Sequence, residues 1–273
     1  MLNQFSRTAL QFGNDNMDRL HRARVAVFGV GGVGGYCVEA LARTGIGVLD
    51  LFDDDRICLT NLNRQIIATR KTVGLYKTDV MRERILEINP DAKVGAYKLF
   101  YGPDTADGVD LSGYDYIVDA VDTMTAKIEL VCRADALGAP IISCMGAANK
   151  LDAAAFEVAD IHETSVCPMA RIMRKELRNR GIKALKVVYS KEPAMRPLED
   201  SAASCRYHCI CPPGVTRTCL QRRQVPASNA FVPAVAGLIM AGEVIRDLIA
   251  DTRDCSELKP NGHDTSARAA ERG

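Results

Sequence analysis

Residues 24–45 read RVAVFGVGGVGGYCVEALARTG: a β-branched run, a glycine cluster, then apolar residues at helical spacing. A buried parallel strand feeding a helix through a glycine turn is the unit this order specifies. Gly29, Gly31, Gly32 and Gly34 stand at the turn. Glycines let a phosphate approach the backbone there, and the helix N-terminus offers N–H donors and positive dipole. Asp53 follows Gly34 by 19 residues, close to the ~20-residue offset of a ribose-binding acid in a dinucleotide fold.

The same alternation continues downstream. VLDLFD (48–53) is a second strand, residues 73–89 a long helix stopped by Pro90, and KVGAYKLF (93–100) a third strand. YDYIVDAVD (114–122) is a fourth, a helix covers 126–137, and PIISCMG (140–146) is a fifth strand. The pattern predicts an α/β fold, a Rossmann-like, doubly wound, mainly parallel sheet with helices on both faces. Its ligand edge lies at the carboxyl ends of the strands, where Gly31, Asp53, Asp119 and Asp122 are expected.

Beyond Gly146 the alternation loosens. AAAFEVAD (153–160) and LKVVYS (185–190) read as C-terminal strands around a basic amphipathic helix at 169–181. A Pro- and Cys-rich loop spans 192–229, and a terminal helix lies within 231–250. Residues 1–251 are expected to form a single domain, with 252–273 a polar, disordered tail. The apolar window 231–250 contains Glu243, Arg246 and Asp247, so it reads as a packed helix and not as a membrane span. The N-terminus lacks a signal-like apolar core, and a cytoplasmic protein is expected. A net charge of +1 gives no bulk electrostatic case for nucleic acid, though a local basic patch remains open.

The glycine turn and its acid fit NAD as well as ATP. Arg64, just past the second strand, and Lys77, at the head of the next helix, address a longer phosphate chain than a pyrophosphate needs. Asp122 at the fourth strand end suits Mg²⁺. Together they favour ATP over a nicotinamide oxidoreductase.

GVGGVGG, LFDDDRICLTNLNRQ, GLYK and DAVD, in that order, resemble the ATP-dependent, ThiF-type adenylating family related to ubiquitin-activating enzymes. The resemblance covers roughly residues 5–250. ARTGIG, NRQI, VGLYKTDVM and ILEINP are most similar to the branch that dehydrates N6-threonylcarbamoyladenosine in tRNA. It implies ATP-driven cyclisation of that nucleoside through an adenylated carboxylate. It also implies Asp53 on the ribose, Asp55 near the nucleotide, Asn61, Arg64 and Lys77 on phosphates, and Mg²⁺ on Asp122. FSRTALQFG resembles the segment whose arginine reaches a partner protomer's ATP, so Arg7 and a homodimer with composite sites are implied. The alternative within the family is adenylation of the Gly-Gly end of a ubiquitin-like sulfur carrier for thiamin or molybdopterin synthesis.

The cysteines bear on that choice. Sulfur-carrier activators typically keep two CxxC pairs for structural zinc, and this chain has no CxxC. Cys205, Cys209, Cys211 and Cys219 fall within fifteen residues, where a Zn²⁺ site and a loop of reduced thiols are both open readings, with zinc ahead of an iron–sulfur cluster. Cys167 lies in a region comparable to the one where sulfur-carrier activators place a catalytic cysteine; a neutral replacement and a nucleophile are both open readings, the replacement favoured. Whether a cysteine desulfurase or sulfur acceptor docks is open. Arg171, Arg174, Lys175, Arg178 and Arg180 make the 169–181 helix the best candidate for facing RNA, with Arg217, Arg222 and Arg223 adding to it.

Overall fold

The computed structural model describes residues 2–198 and 226–250. Two short helices, α1 (Ser6–Phe12) and α2 (Asn14–Arg22), precede β1 (Arg24–Phe28). Then come α3 (Gly34–Thr44), β2 (Val48–Phe52), α4 (Lys77–Ile88), β3 (Lys93–Tyr97), β4 (Tyr116–Asp119), α5 (Met124–Leu137) and β5 (Ile141–Cys144). β6 (Phe156–Asp160), α6 (Pro168–Asn179), β7 (Lys186–Ser190) and α7 (Val232–Ala250) complete it. The sheet order is β3-β2-β1-β4-β5-β7-β6, parallel throughout except for β6 at one edge. The predicted doubly wound α/β fold and its C-terminal strands are therefore present. The strand order reverses between β1 and β4, and in such sheets ligands bind at that switch point, beyond the carboxyl ends.

Alternation along each strand divides the core. Val25 and Val27 of β1 face a layer built from α3, α4 and α7, including Val38, Leu41, Met81, Met240 and Val244. Ala26 and Phe28 face the other way, onto Leu130 and Ala134 of α5. Each large apolar side chain buried in this way contributes about 1.5–3 kcal/mol before conformational entropy is counted. On the α5 face, Phe28, Phe52 and Tyr97 stack across three strand ends at centroid spacings of 4.4 and 4.6 Å, a floor of rings beneath the ligand edge. α6 buries Ala170, Met173 and Leu177 against Val187 and Tyr189 of β7.

Two expectations needed correction. The helix expected from residue 73 begins at Lys77, because Gly74 sits at φ +89° in a turn. The fourth strand ends at Asp119, so Asp122 belongs to the loop leading into α5. The terminal helix is α7. It lies on α3, and no helix among the described residues is long and apolar enough to cross a membrane. Its charges are engaged: Lys186 meets Asp247 at 2.7 Å and Glu243 at 3.2 Å, and the Tyr116 hydroxyl donates to Asp247 at 2.5 Å. Cys205, Cys209, Cys211, Cys219, Arg217, Arg222, Arg223 and the expected 252–273 tail lie outside the described residues.

Candidate nucleotide site

The turn after β1 is held by backbone contacts across the switch point. Gly29 adopts φ +90°, and a Cβ there would lie 2.7 Å from the Ala120 carbonyl oxygen of the β4 end. At Gly34 a Cβ would fall 1.8 Å from the Gly29 oxygen. Both positions demand glycine for the fold. Gly31 differs. Its φ is not in the left-handed region, and the nearest atom to a Cβ would be Gln65 Nε2 at 3.9 Å. Packing thus leaves a small residue there unexplained, whereas a ligand lying on the backbone would explain it. Gly32 is intermediate, with the Arg64 stem and Pro233 each 3.4 Å from a Cβ.

Asp53 follows β2 directly. Its carboxylate accepts from Val30 N–H at 2.7 Å and from Asp55 N–H at 2.9 Å, tying the glycine turn to the second strand. Lys77 is brought over by a small ladder. Ile57 N–H donates to Leu75 O, Gly74 N–H to Ile57 O, and Lys77 N–H to Asp55 O at 3.1 Å. The Arg56 guanidinium packs 4.0 Å over the Tyr76 ring on the same ladder. The Lys77 ammonium then lies 2.6 Å from Asp55 and 3.5 Å from Asp53.

Burial alone would lower the Lys77 pKa, but the carboxylates of Asp53, Asp55 and Asp122 outweigh it and the net shift is upward. Burial pushes the Asp53 carboxyl up, against the pull of Lys77 and of the Val30 and Asp55 N–H groups. A buried ammonium shared between two acids is a fixed positive charge. Incoming phosphate oxygens can take it up by displacing the half-buried Asp55.

The other expected residues are distributed around this pair. Asn61 closes a single helical turn, its Oδ1 accepting from Cys58 N–H at 3.0 Å. Arg64 lays its stem over Gly32 and donates to Thr60 O and Asn63 Oδ1. Asp122 is exposed in the loop before α5, close enough to act on Lys77. Asp53, Asp54 and Asp55 carry carboxylate oxygens within 4.8 Å of one another, a second place at this edge where a divalent cation could be held. Arg7 is exposed on α1. Asp119, expected among the ligand-edge acids, points inward. With both side chains fully buried, it takes Lys127 at 2.9 Å and the Ser143 hydroxyl at 2.5 Å, joining β4, α5 and β5.

Gln65 was not anticipated from the sequence. It is buried, its amide nitrogen is next to Gly31, and its Oε1 has no hydrogen-bond partner among the described residues. An unpaired buried amide oxygen costs roughly 1–3 kcal/mol, a cost that a donor on a bound ligand would remove. Open space at Gly31, the unpaired Gln65 and the Lys77 ammonium together fit a nucleotide phosphate chain. The only sequence signal for Gln65 was its place one residue after Arg64. A cavity of about 420 Å³ lined by Gln4, Phe5, Arg43 and Arg84 lies at the far end of α3 and contains none of these residues.

Described residues flanking segment 199–225 return to the same edge. Met195 N–H donates to Asn149 O, Ala227 N–H to Asn149 Oδ1, and the Asn63 amide to Ser228 O. Cys167 is buried at the head of α6, its Sγ 3.6 Å from a Cβ placed on Gly146.

Comparison with known proteins agrees with this architecture. The tRNA threonylcarbamoyladenosine dehydratase of Bacillus subtilis is 43% identical over 92% of this chain and 96% of its own length. The protein of that name from Escherichia coli is 36% identical over 72% of this chain and 76% of its own. The crystal structure of the E. coli tRNA N6-threonylcarbamoyladenosine dehydratase, TcdA, in complex with ATP superposes with a TM-score of 0.77 at 30% identity, covering 91% of this chain and 94% of that one. The ThiF family matches residues 5–268, from α1 past the end of α7. Sequence, strand order and glycine turn converge, and the chain belongs to the ThiF family.

Proposed function

We propose that this protein uses ATP to dehydrate N6-threonylcarbamoyladenosine in tRNA, closing it to its cyclic form through an adenylated carboxylate. The observation that carries the reading is its end-to-end likeness to the Bacillus subtilis dehydratase. The turn described above supplies the matching chemistry: a glycine with open space over it and a buried lysine shared between acids.

In this reading Asp53 holds the ribose hydroxyls, and the phosphates lie across Gly31. Asn61, Arg64, Gln65 and Lys77 address them, and Asp122 holds Mg²⁺, which neutralises phosphate charge when bound. The threonyl carboxylate oxygen attacks the α-phosphate in line and pyrophosphate leaves. Lys77 and Arg64 stabilise the charge that develops on the phosphate oxygens. The carboxyl carbon then carries AMP, a far better leaving group than oxide. The carbamoyl group of the same nucleoside closes on that carbon, loses a proton and expels AMP, so one water is lost overall. Both reacting groups belong to one substrate, and proximity takes the place of an enzyme nucleophile. Cys167, buried beneath the head of α6, has no part in the reaction. Arg7 of a partner protomer completes each site in a homodimer working in the cytoplasm.

The test is to incubate the protein with ATP, Mg²⁺ and tRNA bearing the modified nucleoside. The nucleoside should lose the mass of one water, with AMP and pyrophosphate formed in equal amounts. AMP formation that requires a carrier protein with a Gly-Gly end would overturn the reading.

A further inference from the structure

We propose that the exposed stripe Arg171, Lys175 and Arg178 on α6 is the surface that receives the tRNA phosphate backbone, a proposal that rests on the dehydratase reading above. The buried side of α6 is Ala170, Met173 and Leu177. Of its four cations and Arg180 just after it, two are engaged within the fold: Arg174 bonds the Thr164 carbonyl and hydroxyl, and Arg180 pairs with Glu176 at 2.5 Å. The other three are exposed and meet no acidic partner among the described residues. At 100° per residue they fall within an arc of about 60° and extend along about 10 Å of the helix axis. Among the described residues they form a line of charge with no acidic partner.

The direction of that line matters. Cys167, at the head of α6, lies against Gly146 just past the end of β5, on the edge that carries the glycine turn. From there α6 runs back toward Ile182, whose carbonyl meets His162 beside the far end of β6. Arg171 is therefore nearest the candidate active edge, and Lys175 and Arg178 lead away from it. A nucleotide presented at that edge must have its strand continue to either side. A row of cations starting there fits a polyanionic strand. A membrane surface would call for a flanking row of large apolar side chains, and Ile172 is the single large exposed one on α6. A protein partner would call for an apolar interface centre, which the stripe lacks.

The test compares the full-length protein with the R171Q/K175Q/R178Q variant, checked for an unchanged circular dichroism spectrum. Binding of fluorescent tRNA is followed by anisotropy at several KCl concentrations. Each phosphate contact contributes about 0.7–0.9 to the salt slope. The variant should therefore bind at least about tenfold more weakly at low salt, with a slope shallower by about 2 to 3. KM for tRNA should rise while turnover at saturating tRNA and ATP affinity stay unchanged, and R171K/R178K should bind as the parent does. An unchanged tRNA affinity and slope overturns the proposal. So does an equal loss in the R171K/R178K variant, which retains the charge. Loss of self-association, or of binding to phosphatidylglycerol vesicles, with tRNA affinity intact would also overturn it. Wild-type protein that binds tRNA through these cations yet leaves the nucleoside intact would sink the dehydratase reading and retain the surface.

Discussion

Two glycines of one turn are expected to fail in different ways. Gly34→Ala forces a Cβ to 1.8 Å from a backbone oxygen and should cost at least about 3 kcal/mol of stability. Gly31→Ala meets nothing closer than 3.9 Å among the described residues, so its melting temperature should match wild type. Its ATP affinity should fall by about tenfold or more, roughly 1.4 kcal/mol, as read by isothermal titration. Lys77 combines both roles. Lys77→Met leaves Asp53 and Asp55 without their buried cation, so the variant should lose AMP formation and several kcal/mol of stability. Because the folded pKa of Lys77 is raised, its contribution is fully present below the ordinary lysine value of ~10.4 and is lost as pH rises through the raised one. Urea titrations of wild type and Lys77→Met should therefore show a stability gap that holds from pH 7 to about 10 and closes only above that. At this scale the sequence carried the glycines, Asp53 and Lys77 through fixed spacing. It did not carry Gln65 or the inward turn of Asp119, because a buried amide or a Lys127–Asp119–Ser143 contact forms between elements and leaves no local pattern.

At the scale of elements, α3 begins at the glycine turn and α7 crosses it with no clearance. A Cβ on Gly237 would lie 2.2 Å from Val33 O and 3.0 Å from Cys37 N, the two ends of an early helical hydrogen bond of α3. Gly237→Ala should therefore lower stability by about 1–3 kcal/mol and weaken ATP binding, since the shift reaches the residue before Gly34. Gly242→Ala, on the same helix with none of the described residues within 4 Å, should leave ATP binding intact and raise stability by up to about 1 kcal/mol. Thermal melts of the two variants separate these outcomes. Element identity was largely readable from periodicity, and the errors fell at ends. The start of α4 at Lys77 and the end of β4 at Asp119 depend on the ladder from Arg56 to Tyr76 and on the Lys127–Asp119 pair, both tertiary contacts.

At the scale of the whole molecule, the composite-site reading makes a sharp demand. Arg7→Ala and Lys77→Met variants, each inactive alone, should regain activity when mixed and allowed to exchange subunits. About a quarter of all sites would then pair an intact Arg7 with an intact Lys77. Activity that stays at the level of the separate variants would remove Arg7 from the site. The doubly wound, mainly parallel character of the sheet followed from five strands alternating with helices, whereas the strand order and the antiparallel placement of β6 did not. Its five residues fix no strand direction, and its partner Lys186–Ser190 comes after an intervening helix.

The packing of α7 on α3 also sets a schedule. The glycine turn is made early in translation, yet the helix that closes over it is the last described element, some two hundred residues later. While that helix is still inside the ribosome, Val38, Leu41 and Ala42 lack its cover, and the turn is held only by its contacts with Asp53 and the β4 end. ATP should therefore gain little hold on the nascent chain before α7 packs on α3. A released chain ending at residue 229 should show no nucleotide binding by filter assay and should be captured by chaperones. The capacity to bind ATP arrives only when synthesis of the domain is nearly over.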